Sequence, residues 1–539
     1  MSVRLRVWAL AALTIAAPAR AADPADDPAA VIDKHLEADW AARGVVPAAP
    51  ADDAEFCRRV YLDLIGRTPR VAETLDFLDD KAPDKRAKLV DRLLGTAPHA
   101  AHFAAVTRAA WLPQTATGGN FAGFGFQLEG WLRKQYRDNV PADRTVRTLL
   151  EVPYTLQVNG QVGNTFRLVQ PVGNDPDQRA IVGFYQANEA KTENVAAAVS
   201  RLFVGVKLEC AQCHDHPFAP YTKEQFWEFA AFFADLTPAT AYRPSELGPA
   251  GPQAHKNRVT IPNSSNVVVA KYFDGTSPEW NEVMTPRQEL AGWLTSRQNP
   301  YFAKNLANRM WAHFFGLGIT DPVDEPGDDN APSHPELLDA LGKAFASGGF
   351  DNRLLIRAIT RTKAYQLSSR MSHPTQADPR RFARMSVRGL TPAQLFDSLV
   401  SATGHREPSQ FRANSFGGFV QANNPRSVFL NRFSSTDRPT ETSTTILQAL
   451  MLMNGQFLDA QTAPDTAELL AAVADMPGWD TRRRVETIVL AALARRPTAD
   501  ELERFSSYVD RGDKRKGLGD VFWVLLNSPE FLFNHLGPP

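Results

Sequence analysis

Cysteine is scarce in this chain, and its placement limits how the chain can be held together. Only three cysteines occur in 539 residues, and Cys210 and Cys213 are separated by two residues and followed directly by His214. Three cysteines cannot crosslink a chain of this length, whereas its 43% of hydrophobic residues can form large cores. The fold must therefore depend on packing, and the cysteine pair is available for chemistry.

The pattern Cys210-Ala211-Gln212-Cys213-His214 is typical of covalent haem attachment. In a c-type centre, both thiols bond to the haem vinyl groups and the histidine that follows ligates the iron. We therefore predict Cys210 and Cys213 as anchors of haem c and His214 as an iron ligand. No methionine stands at a spacing that indicates a second axial ligand, so the sequence leaves that ligand open.

Two other interpretations of these residues remain open. Cys210 and Cys213 can form a disulfide across a short loop, or they can bind zinc together with His214 and His216. Four ligands so close in sequence are crowded for a tetrahedral site, which counts against zinc. Cys57 stands on an apolar helical face, where we expect a small buried hydrophobe without a chemical role.

The N-terminus has the features of a secretory signal peptide. Arg4 and Arg6 precede an apolar run from Val7 to Ala17, and a small-residue cleavage site ends at Ala21. We expect residues 1–21 to be removed on export to the periplasm or cell surface, where c-type haem is attached and thiols oxidise. No later segment approaches the roughly 20 apolar residues of a transmembrane helix.

The charge balance restricts the classes of partner. Formal net charge is −1 at pH 7, so the chain lacks the excess of positive charge that indicates a nucleic-acid partner. The expected partner is instead a redox protein or a cell-surface protein. The motif and the signal peptide both agree with a partner outside the cytoplasm.

Helical spacing of apolar residues dominates the chain and predicts a mainly α, multi-helical two-domain protein with a few short strands or hairpins. Residues 22–50 predict an N-terminal helix and linker, and residues 51–236 a helical domain that carries the motif. Residues 237–285 predict a Pro-rich linker with short strands, and residues 286–539 a second helical domain.

Two hairpins are predicted. The alternating segment Tyr154–Val158 leads into Asn159-Gly160, which favours a two-residue type I′ turn. The segments Val259–Ile261 and Val267–Val269 are short enough to be paired strands.

A helix start near the beginning of the chain has a counterpart near its end. Thr68 followed by Pro69 predicts an N-cap with proline at the first helical position. Proline, glutamate and phenylalanine recur at the same spacing in the two segments: Pro69, Glu73 and Phe77; Pro497, Glu501 and Phe505. The spacing drifts by one residue further on, so the sequence does not decide between two explanations of this echo. One is a duplicated unit, and the other is a helix pair with a proline start that is used twice.

The second helical region has a polar cluster of its own. Asn305, Arg309 and His313 follow one another at four-residue spacing, on one face of a predicted helix. An acidic loop comes next and a further histidine stands at a helix start: Asp321, Asp324, Asp328 and His334. Carboxylates at this density can bind calcium, but their order does not fit an EF-hand. An ion-pair network between arginine and the carboxylates is the favoured interpretation.

The segment Arg201–Phe233 resembles the planctomycete cytochrome-c-like domain, a family of secreted proteins without an assigned function. Arg59–Pro69 resembles the helical segment at the start of the same family. Asn299–Gln366 is similar to a planctomycete-specific domain of unknown function that usually follows it, and Glu441–Asp459 and Leu526–His535 resemble its closing signatures. The resemblance implies haem at Cys210, Cys213 and His214, while it implies no reaction.

These observations lead to one favoured functional hypothesis and two alternatives. We expect an exported protein with one covalent haem that transfers electrons or senses redox state. The first alternative is a non-catalytic assembly protein of the periplasm or cell surface, in which the motif is a disulfide or zinc staple. The second is a metal-dependent enzyme that uses the acidic loop. No serine-hydrolase elbow, zinc-protease motif or phosphate-binding loop occurs.

Overall fold

The computed structural model describes residues 27–115, 122–159, 166–216, 220–236, 257–280, 283–325, 330–405, 425–433 and 456–534. Within these ranges the chain is mainly α-helical, as predicted. Its strands form two separate two-stranded antiparallel sheets. The predicted signal peptide and the Pro-rich stretch from 237 to 252 lie outside the described residues. No helix in the described part of the chain is both long and apolar enough for a membrane crossing.

The helices, numbered here in chain order, are as follows. The first twelve are α1 (Pro28–Arg43), α2 (Asp53–Ile65), α3 (Val71–Asp79), α4 (Lys85–Leu94), α5 (Ala97–Trp111), α6 (Ala122–Arg137), α7 (Ala142–Glu151), α8 (Pro176–Ala187), α9 (Thr192–Val199), α10 (Lys223–Ala230), α11 (Pro286–Leu294) and α12 (Phe302–Phe315). The others are α13 (Pro335–Ser347), α14 (Asn352–Arg361), α15 (Lys363–Gln366), α16 (Pro392–Thr403), α17 (Pro425–Phe433), α18 (Gln456–Thr462), α19 (Glu468–Asp475), α20 (Thr481–Leu493), α21 (Ala499–Asp510), α22 (Lys514–Leu526) and α23 (Pro529–Leu532).

Both hairpins form, and the first has a longer connection than predicted. Strand β1 (Tyr154–Asn159) pairs with β2 (Phe166–Pro171), and Asn159 lies opposite Phe166. Residues 160–165 therefore connect the strands, so the predicted two-residue turn at Asn159-Gly160 is wrong. Strand β3 (Arg258–Thr260) pairs with β4 (Val267–Val269), which confirms the second hairpin.

Two hydrophobic cores hold the helices together within the described ranges. The first includes buried side chains from Ile32 to Met385 and is continuous across the predicted 237–285 linker. The second lies between Leu395 and Phe531 and includes side chains of α16, α20 and α22. Apolar packing in the first core therefore joins the first predicted domain to the front part of the second.

Helix α2 belongs to the first core and is buried from Glu55 to Ile65. Its two arginines, Arg58 and Arg59, are buried. Their terminal guanidinium nitrogens donate to oxygen acceptors, as burial of charge requires, while the Nε of each makes no hydrogen bond within the described residues. Arg59 donates to the Tyr365 carbonyl at 2.6 Å and to Glu55 Oε1 at 2.5 Å. Arg58 donates to the Phe531 carbonyl at 2.8 Å, which connects α2 to the end of the chain.

Helix α2 has a structural counterpart in α20. Each helix has 13 residues and begins after an aspartate N-cap, Asp52 or Asp480, whose side chain accepts the N–H of the third helical residue. Each also ends at a residue in the left-handed conformation, Gly66 at φ 74° or Ala494 at φ 57°. The echo predicted from the sequence thus extends to the preceding helix.

The same arginine–glutamate pair follows both helices. Arg67 donates two hydrogen bonds of 2.8 Å to Glu73, and Arg495 donates two of 2.7 and 2.8 Å to Glu501. The bond from Arg495 lowers the pKa of Glu501 to about 2. In the first copy, α3 begins at Val71 with Arg70 as N-cap. The predicted N-cap at Thr68 is therefore wrong by two residues.

Candidate functional site

The cysteine motif follows an irregular continuation of α9. The helix passes into one π-helical segment, Ser200–Val204, which ends at Gly205 in the left-handed conformation (φ 82°). The chain then enters a short 3₁₀ turn, Glu209–Gln212, that contains the first cysteine. Such π-segments inside helices often occur at functional sites.

Core contacts fix the turn while its thiols remain at the surface. Ala211 is fully buried between the two cysteines, and its N–H donates to the Leu208 carbonyl at 2.9 Å. Trp227 of α10 donates from Nε1 to the Gln212 carbonyl at 3.1 Å. Cys210 and Cys213 are exposed free thiols. The motif is thus anchored through its backbone, and its sulfur atoms are accessible.

The His214 ring is oriented by the residue that follows it. Its Nδ1 lies 2.7 Å from the backbone carbonyl of Asp215, and the side chain is exposed. A carbonyl oxygen can only accept, so Nδ1 carries a proton, and in the neutral ring the lone pair is on Nε2. Metal-ligating histidines commonly have this arrangement, in which the other ring nitrogen donates to a carbonyl.

The segment after the motif bends back onto α10. Asp215 Oδ1 accepts the backbone N–H of Lys223 at 2.8 Å, and the His216 N–H donates to the Tyr221 carbonyl at 2.7 Å. The His216 ring packs edge-on against Tyr221 at 6.3 Å between centroids. Among the described residues, no three or more His, Cys, Asp or Glu side chains are arranged to hold a metal ion. The zinc set of Cys210, Cys213, His214 and His216 stays a prediction.

Cys57 differs from the motif cysteines in every respect that matters for chemistry. Its side chain is fully buried on α2, and burial raises the pKa of its thiol well above the ordinary value. The thiolate is the reactive form of cysteine, so this group is inert in the folded protein. The expectation of a buried hydrophobe is confirmed.

The predicted polar cluster comes together in part. Asn305 Oδ1 accepts from Arg309 Nε at 3.2 Å, and Arg309 Nη2 lies 3.5 Å from Asp324 Oδ2. These three residues form the expected ion-pair network. Asp321 Oδ1 instead accepts the Gly318 N–H at 3.4 Å. Asp328 lies outside the described residues.

His313 lies on α12 but belongs to a different cluster. Its Nε2 donates to the Asp63 carbonyl at 2.9 Å, and its ring centroid is 5.7 Å from that of His102 on α5. His99, on the same helix, donates from Nδ1 to the Leu64 carbonyl at 3.0 Å. Burial lowers the pKa of all three histidines, that of His99 to about 4. His99 and His102 were not predicted from the sequence, although their i, i+3 spacing on an apolar helix was a usable signal.

His334 is separate from the acidic loop as well. It is the N-cap residue of α13, and its side chain makes no capping hydrogen bond to that helix. Its Nε2 lies 3.3 Å from Asp39 Oδ2 on α1, and Nδ1 lies 3.1 Å from Ser333 Oγ. Burial lowers the pKa of His334. It therefore bridges two helices rather than completing a site with Asp324.

The described geometry defines a mainly α-helical protein with a surface-exposed Cys-x-x-Cys-His turn. Residues 31–237, which include this turn, match a family model described as PSCyt2, protein of unknown function (DUF1549). Residues 286–427 match a second model, PSD1, protein of unknown function (DUF1553), and include Asn305, Arg309 and Asp324. The chain thus has two regions that match families of unknown function, in the order expected for its two predicted domains. No curated protein and no solved structure matches the chain.

Proposed function

We propose that the chain carries one covalently attached haem at Cys210 and Cys213, with His214 as an iron ligand. One observation carries this proposal: two accessible thiols and an oriented imidazole lie on a single anchored turn. The donor set fits the group, because covalent attachment needs both thiols within reach of the vinyl groups and a neutral imidazole nitrogen for the iron. When bound, haem supplies one-electron chemistry.

The biological role follows from that chemistry and from the predicted signal peptide. We propose an exported protein of the planctomycete cytochrome-c-like type that exchanges electrons with a redox partner, or senses redox state, in the periplasm or at the cell surface. The turn supports this role because its backbone is held by Ala211 and Trp227 while the side chains of Cys210, Cys213 and His214 are exposed. A rigid exposed site can approach a partner with little rearrangement.

The main alternative is that the motif is a structural staple, either a disulfide or a zinc site. Each of these requires a different set of residues. A disulfide needs only Cys210 and Cys213, whereas zinc also needs His216 as its fourth ligand. The metal-dependent enzyme has less support, because Asp324 is already paired with Arg309. His214 and His216 therefore form a matched pair of test positions.

The test is a pyridine haemochrome spectrum of protein purified from an exporting host with c-type maturation. We expect a c-type band that survives acid-acetone extraction, disappears in the Cys210→Ala/Cys213→Ala variant and persists in His216→Ala. The mass of the same preparation should show cleavage after Ala21 or Ala22. His214→Ala should reduce or abolish haem loading, because it removes the proposed iron ligand.

Absence of the band, with a control cytochrome fully loaded in the same host, would refute haem attachment. Elemental analysis then separates the two staples. Stoichiometric zinc that is lost in both His214→Ala and His216→Ala would establish the zinc site, whereas a metal-free protein without free motif thiols would establish the disulfide.

A further inference from the structure

The chain segment that leads into the motif, residues 201–209, is held by the second family region. We call this segment the strap. Two strap carbonyls accept side-chain donors from α12: Asn305 Nδ2 donates to Leu202 at 2.6 Å, and Arg309 Nη2 donates to Arg201 at 2.6 Å. The backbone of the loop after α12 also takes part, because the Asp324 carbonyl accepts the Lys207 N–H at 2.8 Å.

The contact between the strap and α12 is close enough to restrict the strap's sequence. At Gly205, an added Cβ would lie 2.8 Å from Asn305 Oδ1, nearer than such atoms approach in proteins. The residue is also in the left-handed region at φ 82°, which favours glycine. Glycine therefore allows the strap to lie directly on the buried Asn305 amide.

Charged side chains reinforce the same contact and extend it to the motif. The Arg201 guanidinium lies 3.9 Å from Asp324 and 4.0 Å from Glu209, the residue before Cys210. Lys207 Nζ lies 3.1 Å from Glu325. The charges thus connect α12 and its following loop to the first residue of the 3₁₀ turn.

From these contacts we infer that Asn305, Arg309 and Asp324 are positioning residues for the Cys-x-x-Cys-His turn. We call these three residues the clamp. The clamp residues lie in the second family region and hold the strap in place. The strap ends at Glu209 and thereby positions Cys210, the next residue. The inference deepens the proposed function and depends on it only for the haem readout described below. It also assigns the second family region a role at a site that lies in the first.

The experiment compares Asn305→Ala with Asn534→Ala in the full chain. Asn534 is a matched control because it is equally buried, donates to the Ser386 carbonyl at 3.0 Å and accepts the Arg388 N–H at 2.8 Å, away from the strap. Amide hydrogen exchange is measured for residues 202–213. We expect exchange at least tenfold faster than wild type in Asn305→Ala and unchanged in Asn534→Ala.

A milder pair of variants tests the clamp if Asn305→Ala fails to fold. Arg309→Lys keeps a cationic donor for the Arg201 carbonyl, whereas Arg309→Gln removes the charge facing Asp324. We expect strap exchange to rise in Arg309→Gln and to be largely restored in Arg309→Lys. Equal exchange in both variants and wild type would overturn the inference.

Haem loading, measured on the same samples, separates the two proposals. Lower loading in Asn305→Ala than in Asn534→Ala, together with faster strap exchange, supports both. If strap exchange is faster in Asn305→Ala but neither the variant nor the wild type loads haem, the clamp inference stands and haem attachment is refuted. Normal loading with unchanged strap exchange retains haem attachment and refutes the clamp.

Discussion

The buried histidines predict a specific loss of stability in mild acid. His99 is 1% exposed and its Nδ1 donates to the Leu64 carbonyl, so the folded protein holds the neutral ring. Burial lowers the pKa of His99 to about 4, from 6.5 for an unperturbed histidine. The unfolded chain therefore binds more protons below pH 6.5, and stability falls as the pH decreases through that value.

The size of the effect follows from the two pKa values. Between about pH 8 and about pH 5, His99 alone should lower the free energy of unfolding by about 2 kcal/mol. Burial lowers the pKa of His102, His313 and His334 as well, so the total loss should be larger. Glu501 has a pKa of about 2 in the folded protein and 4.5 in the unfolded chain. The stability that it contributes is therefore lost only as the pH falls below 4.5, outside this range.

Urea unfolding at the two pH values, for the wild type and His99→Asn, measures this contribution. Asparagine keeps a donor near the Leu64 carbonyl but does not titrate. We expect His99→Asn to have a lower free energy of unfolding than the wild type at about pH 8. Its free energy of unfolding should then fall by about 2 kcal/mol less than that of the wild type when the pH is lowered to about 5. Equal losses in the two proteins would refute the reasoning.

Two further predictions concern burial in the first core. Arg58→Ala should lower the free energy of unfolding by at least about 3 kcal/mol, because the carbonyls of residues 492, 531 and 533 lose their buried donor. Arg43→Ala, at an exposed ion pair, is the control and should cost at most about 1 kcal/mol in the same urea titration. In native, haem-free, reduced protein, a thiol reagent should modify Cys210 and Cys213 quickly and Cys57 only after unfolding. Mass spectrometry before and after addition of denaturant counts the modified thiols, and rapid native modification of all three would contradict the burial of Cys57.

Local signals in the sequence predicted the helices well. Apolar spacing and capping residues are local, and α12 contains Asn305, Arg309 and His313 as predicted, while α13 begins directly after His334. The error at the first hairpin occurred where a local turn signal competes with pairing between strands. Asn159-Gly160 is a strong turn signal, but cross-strand pairing of Asn159 with Phe166 placed the connection elsewhere.

The candidate site was less predictable because it depends on distant contacts. The sequence singled out Cys210, Cys213 and His214 as candidates, and it predicted an ion-pair network between arginine and the loop carboxylates without choosing Asp324 among them. It could not show that Asn305 and Arg309 bind the segment before the motif, since these contacts join residues more than 100 positions apart. Helical spacing also grouped His313 with Asn305, whereas packing of α2 and α5 against α12 placed it beside Asp63 and His102.

The environment of α2 has a consequence for how the chain reaches its folded state. Arg58 bonds to carbonyls 434, 473 and 475 residues further along the chain. This early helix, buried from Glu55 to Ile65, therefore lacks its final partners until residues 492–533 are available. Contacts of such long range form late and slowly. Assembly of the first core should thus finish only after residues 531–533 have been synthesised. Until then, the nascent chain should expose the hydrophobic side chains of α2, which chaperones can recognise.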